Sequence, residues 1–305
     1  MRVDLKMPTT RVFALCALLF AAATTAQAAA QDKLPVVATF SILADFAAQV
    51  GGDKVAVTTL VGPDADAHAF SPSPAEAKRL ATARVVLTNG LGFEGWLARL
   101  VKASGTKATV VVATKGIKTR ALKSDGHGHG HEDPHAWQSV VNAKVYVSNI
   151  RDALAQADPA NASVYAANAT AYLAKLDALD ADVKAAVATI PAERRKIITT
   201  HDAFGYFAAA YGVQFIAPQG VSTDADVSAK DVATIIRQIR AQKIPAVFIE
   251  NVSAAGLMQR IAAESGAKVG GQLYSDALSK PDGPAATYID MMRHNLKQLS
   301  AALMM

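Results

Sequence analysis

From Lys33 onward the hydrophobic positions fall into short β-branched runs that alternate with stretches of helical periodicity. LPVVATF is followed by SILADFAAQVGG, then by VAVTTLV, PSPAEAKRLATA and RVVLTNG, and a further run, ATVVVAT, comes after a helical stretch around Phe93 to Lys102. Short apolar runs of this kind read as strands, and the segments between them space their apolar residues three and four apart, as helices do. The second half repeats the style with KIITT, a helix from about Ala203, VQFIAP, DVATIIRQIRAQ, AVFIE, LMQRIAAESG and KVGGQL. Strands alternating with helices predict an α/β fold of mainly parallel sheets flanked by helices.

Between the two halves lies NASVYAANATAYLAKLDALDADVKAAVATI, with no glycine or proline before Pro191. Tyr165, Tyr172, Leu173, Leu176 and Leu179 recur at helical spacings, so one helix of about 45 Å fits the segment at ~1.5 Å per residue. It is long enough to join two lobes, although a long helix within one domain has the same pattern. The expected division is a leader over 1–28, a first lobe over 29–157, a linking helix over 158–191 and a second lobe over 192–305.

Composition changes this picture little: a chain of 305 residues, 51% hydrophobic and 19% charged, has enough apolar surface for two cores. A formal charge of +5 is too weak an excess to imply nucleic acid. The amino terminus says more, because Arg2, Lys6 and Arg11 lead into VFALCALLFAAA and then the small-residue site Ala26-Gln27-Ala28. That is the form of a secretory leader cut near Ala28 or Ala30, and its apolar run falls short of the ~20 residues a spanning helix needs. The single cysteine, Cys16, lies inside the run behind Phe13-Ala14-Leu15, without the small residue that precedes a lipid-modified cysteine. The expectation is therefore a periplasmic protein with no lipid anchor, no disulfide and no thiol, whose site uses nitrogen and oxygen donors.

Seven histidines are the candidate chemistry. His68, in GPDADAHAFSPSPAEAKRL, sits in a loop between a strand and a helix that Ser71 can cap. His135 follows Pro134 in EDPHAWQSV, where Trp137 can wall a site, although Asp133-Pro134 also reads as a helix start. His201 follows the strand KIITT, with Asp202 able to cap the next helix, and Asp276 in QLYSDALS reads equally well as a cap. His127, His129 and His131 form HGHGH, the kind of tract that binds metal loosely, and His294 in MMRHNLKQL reads as a packing or surface residue.

These segments together resemble the zinc and manganese solute-binding proteins of ABC importers. The likeness runs from about Leu34 to the C-terminus and rests on VVATFSILADFAAQVGGDKV, DADAHAFSPSPAEAKRL, LTNGLGFEGWL, the His tract before DPHAW, THDAFGYFAAAYG, FIEN and LYSDAL. The resemblance implies two α/β lobes joined by one rigid helix, one Zn²⁺ held between them by His68, His135, His201 and Asp276, and no catalytic residues. It also implies an ABC permease with its ATPase as partner, a periplasmic metallochaperone as a further one, and a monomer. Manganese-preferring members usually carry glutamate where this chain has His201, which favours zinc, as does the affinity of imidazole for that ion.

Glu250 and Asp202 are the candidate acceptors for ring N–H groups of the ligating histidines. The His tract is expected to add at most a weaker second site. Rival readings are a manganese or iron receptor of the same family, a secreted zinc hydrolase, and a metal-buffering adhesin. The hydrolase lacks an HExxH pair and an open coordination position. Two mechanistic expectations follow: release by movement of a loop near Asp276 or His135, and affinity that collapses below about pH 6 as ordinary imidazoles protonate.

Overall fold

The computed structural model describes Met1 and residues 32–121, 132–224 and 227–304. The expected leader with Cys16, and His127, His129 and His131, lie outside the described residues. Each apolar run forms a strand: β1 (Leu34–Phe40), β2 (Val55–Val61), β3 (Val85–Thr88), β4 (Thr109–Val112), β5 (Lys196–Ile198), β6 (Gln214–Ile216), β7 (Ala246–Glu250) and β8 (Lys268–Leu273). They build two parallel sheets in the orders β2-β1-β3-β4 and β6-β5-β7-β8. β1 is buried along most of its length, as a central strand covered on both faces must be, whereas the edge strand β4 exposes Val110 and Val112. Each sheet winds outward in both directions from its two central strands, and the carboxyl ends of those strands open the crevice in which loops gather around a ligand.

The described residues hold helices α1 (Ser41–Gly51), α2 (Pro74–Ala81), α3 (Leu97–Ser104), α4 (Val140–Ala157), α5 (Ala162–Thr189), α6 (Gly205–Tyr211), α7 (Ala229–Gln242), α8 (Ala255–Ser265) and α9 (Tyr288–Leu303). The long helix α5 joins the lobes. It buries Tyr165, Ala169, Tyr172, Leu176, Leu179, Val183 and Val187, a stripe at spacings of three and four, and Pro191 stops it by removing the next backbone donor. The cap of α2 is Ser73 rather than Ser71: its hydroxyl accepts from the chain at Ala75 while Glu76 reaches back to the Ser73 N–H.

The two lobes share one core, because α1, α4, α5 and α9 meet around Phe46. Its ring lies 5.8 Å from Tyr146, 6.3 Å from Tyr172 and 4.8 Å from Tyr288. Those partners come from the first lobe, the linking helix and the second lobe, so a hinge motion would have to tear aromatic contacts apart as well as bend α5. A second, smaller cluster around Ile198, Ile236, Val247 and Met258 lies between the second sheet and helices α7 and α8.

Candidate metal centre

Four loops bring the candidate side chains to the crevice. His68 follows β2, His135 lies between β4 and α4, His201 follows β5, and Asp276 follows β8. One donor atom from each of the four lies within 4.8 Å of every other. The Nε2 atoms of His68 and His135 are 3.2 Å apart. Asp276 is the hub: its carboxylate oxygens stand 3.4 Å from His68 Nε2, 3.6 Å from His135 Nε2 and 3.1 Å from His201 Nε2. A tetrahedral ion with bonds of ~2.0–2.1 Å places its ligands about 3.3–3.5 Å apart, and these four contacts, at 3.1–3.6 Å, lie near that spacing. Asp276 is fully buried and no helix starts at it, which removes the capping explanation. Its Oδ1 has no hydrogen-bond donor, an arrangement that costs free energy unless a cation supplies what the donors do not.

The rings are held from behind. His135 Nδ1 lies 2.9 Å from Asp133 Oδ1, which also accepts the His135 backbone N–H. His201 Nδ1 lies 2.6 Å from Glu250 Oε2 in an oblique charge contact, while Glu250 Oε1 accepts the N–H groups of Thr200 and His201. Both contacts turn Nε2 toward the centre of the cluster. Of the two acceptors expected from sequence, Glu250 stands against an imidazole. Burial raises the Asp202 carboxyl more than the charges of His135 and His201 lower it, and its backbone N–H donates to Gly220. The carboxylate behind His135 is Asp133, two residues before the histidine in DPHAW.

His68 is placed differently. Asp66 Oδ1 accepts its backbone N–H at 2.8 Å, and Asp66 Oδ2 accepts the hydroxyl of Thr223 from the second lobe at 2.6 Å. Its side chain keeps 5% exposure where His135, His201 and Asp276 keep none. A cavity of about 410 Å³ borders it, lined also by Phe93, Glu132, Pro134 and Ser222. Apolar walls close the other sides: the rings of Phe93 and Trp137 lie 4.6 Å from His68 and 5.3 Å from His135. His294 is outside the cluster, against the Gln272 carbonyl and the ring of Tyr274.

Charge coupling in this dry setting is strong. Burial pushes the His135 imidazole down, but Asp276 and Asp133 outweigh it and raise it to about 9. Burial likewise opposes charge on His201, and Glu250 and Asp276 raise it well above the usual imidazole value. Burial pushes Asp276 up, yet His201 and His135 hold it well below the ordinary carboxylate range. The raised imidazoles of His135 and His201 favour their protonated forms beside Asp276, so an incoming cation competes with protons there.

The chain matches the model of the zinc-uptake complex component A family, periplasmic, over residues 36–302. It is 34% identical over 297 residues to the manganese-binding lipoprotein MntA of Bacillus subtilis, covering 96% of this chain and 97% of that one. The iron-binding protein YfeA of Yersinia pestis is 34% identical over 260 residues, covering 85% and 83%. Among solved structures, the periplasmic zinc binding protein TroA of Treponema pallidum superposes with a TM-score of 0.84 at 30% identity, covering 89% of this chain and 99% of that one.

One expectation is overturned here. The absence of a lipid anchor does not stand, because several relatives, MntA included, are lipoproteins. An acyl anchor holds a protein through methylenes buried in the bilayer and asks nothing of the folded lobes, so the fold does not argue against one. The fold, the long joining helix and the similarity over nearly the whole chain place this protein in the family of periplasmic metal-binding receptors that serve ABC importers, whose partners are a membrane permease and its ATPase.

Proposed function

We propose that this chain captures one Zn²⁺ between its lobes through Nε2 of His68, His135 and His201 and a carboxylate oxygen of Asp276, and passes it, as a monomer, to an ABC importer. The observation that carries this reading is the donor set: three imidazole nitrogens and one buried carboxylate, with one donor atom from each within 4.8 Å of every other. Zn²⁺ accepts such a shell readily, whereas Mn²⁺ is better matched to oxygen-rich sites of higher coordination. The name of the Treponema relative supports zinc; those of the Bacillus and Yersinia relatives point to manganese and iron, and the nitrogen-rich donor set favours zinc. A four-ligand shell also leaves no position for an activated water, which disfavours hydrolysis.

The ion's path follows from the same geometry. His135 and Asp276 are sealed, so entry and release run past His68 through the cavity that borders it, where the Asp66 to Thr223 hydrogen bond ties the lobes together. Delivery then needs that loop to open rather than the lobes to swing apart. Transfer from a periplasmic metallochaperone would use the same mouth.

Chelator-competition titration of the purified protein with Zn²⁺ and Mn²⁺ tests the reading. One Zn²⁺ per chain, bound more tightly than Mn²⁺, is the expected result. Tighter Mn²⁺ would transfer the assignment to a manganese receptor.

A further inference from the structure

Resting on the assignment of His135 as a ligand, we infer that Arg120 is a positioning residue for it, one guanidinium that ties His135 to both lobes and reaches the surface. The chain of contacts starts outside and ends at the candidate ligand. Arg120 Nη1 pairs with Asp133 Oδ2 at 3.1 Å; its side chain keeps 40% exposure while that of Asp133 keeps 2%. The other oxygen of the same carboxylate faces His135 Nδ1 at 2.9 Å. Without Arg120 the buried Asp133 carboxylate would keep its bonds to His135 and lose the cation that fixes its second oxygen, and a carboxylate so released is free to rotate.

The second lobe holds the same guanidinium. It lies over the ring of Tyr206 at 5.5 Å, the Arg120 backbone N–H donates to the Tyr206 hydroxyl, and that hydroxyl donates to the Asp133 carbonyl. Tyr206 sits on α6, the helix that follows His201. Gly205 before it explains how the pair fits: a Cβ there would overlap Arg120 Nη1 and stand 2.6 Å from Asp133 Oδ2. No positive φ accompanies this glycine, so space for the ion pair is what its missing side chain provides. Two second-lobe residues thus shape the support of a first-lobe ligand, and that support is complete only while the lobes are together.

The test uses the full-length protein, loaded in parallel with Zn²⁺ and Mn²⁺, with dissociation followed by trapping into excess chelator, and with Co²⁺ loading for a ligand-field spectrum. Arg120→Met should speed release by about tenfold or more, the range of supporting residues at metal sites, and shift the Co²⁺ bands. Gly205→Ala, which keeps every charge but pushes Arg120 aside, should do the same, and Arg120→Lys should restore part of the slow release. Arg79→Met on α2, an exposed arginine paired with Glu76, should change neither readout.

Release within about twofold of wild type in Arg120→Met or Gly205→Ala, or equal acceleration in Arg79→Met, would overturn the role of Arg120. An unchanged Co²⁺ spectrum in Arg120→Met would do so as well. Failure of the wild type to hold Zn²⁺ would overturn the zinc assignment instead, and Arg120 would then be judged on the Mn²⁺ measurements.

Discussion

Among the described residues each lobe buries one glutamate near the carboxyl ends of its central strands, and each glutamate grips two successive backbone N–H groups. In the first lobe Glu94 accepts from Asn89 and Gly90 and from the Thr39 hydroxyl. In the second, Glu250 accepts from Thr200 and His201 with one oxygen and meets the His201 ring with the other. The same device therefore does two jobs: Glu94 ties β1 to the turn after β3 without touching an imidazole, while Glu250 ties strand ends and orients a ligand at once. The first lobe hands the orienting task to Asp133, on a loop. Fold and site are coupled through one residue in the second lobe and separated into two in the first.

The largest expected effect comes from the residue that both lobes face. Asp276→Ala should lower metal affinity by more than the ~10–100-fold typical of supporting residues, since it removes the hub of all three imidazoles. Competition titration checks it, and a loss of only a few-fold would deny Asp276 its place in the shell. The glutamates come next. Glu250→Ala should cost about 10–100-fold in affinity and also lower the thermal midpoint of the metal-free protein, because two buried N–H groups lose their acceptor at ~1–3 kcal/mol each. Glu94→Ala should lower the midpoint alone. If Glu94→Ala weakened binding as much as Glu250→Ala, the separation of roles in the first lobe would be refuted.

Acidity sharpens the same contrast. The stabilisation from a raised imidazole is complete below its unfolded value near 6.5 and is lost as pH rises through its folded value. For His135, raised to about 9, the metal-free protein should lose stability between about pH 6.5 and 9. Over that window metal affinity should rise, by about tenfold per pH unit for each proton displaced. Thermal melts in chelator and titrations over one pH series measure both slopes, and parallel slopes would be inconsistent with a proton-filled site. The smallest effect belongs to the mouth: Thr223→Val should raise loading and release rates together by a few-fold and leave affinity unchanged, as stopped-flow mixing with a chromogenic chelator would record.

Much of this was legible in the residues. The eight strands fall on the short runs from LPVVATF to KVGGQL, β8 despite Gly270 and Gly271, and α5 on a stretch free of glycine and proline. Helix α4 was anticipated only as a helix start at Asp133-Pro134: Val140, Val141, Val145, Val147 and Ile150 give it strand-like composition, and it is helical because Val140, Ala143, Tyr146, Val147, Ile150 and Leu154 bury one face. The four site residues could be named only by resemblance, since their convergence depends on loops up to 208 positions apart closing at one crevice. The acceptor role of Asp133, read in the sequence only as part of a helix start, and the role of Thr223 escaped notice for the same reason. An Asp two residues before a histidine is ordinary in sequence, and a threonine in a second-lobe loop gives no sign of its partner Asp66.

Zinc-edge anomalous diffraction from crystals of the zinc-loaded protein is the most direct test of the central claim. The account predicts one strong peak, ~2.0–2.2 Å from Nε2 of His68, His135 and His201 and from an oxygen of Asp276. A peak lacking any one of these four, or a main peak elsewhere, would contradict it.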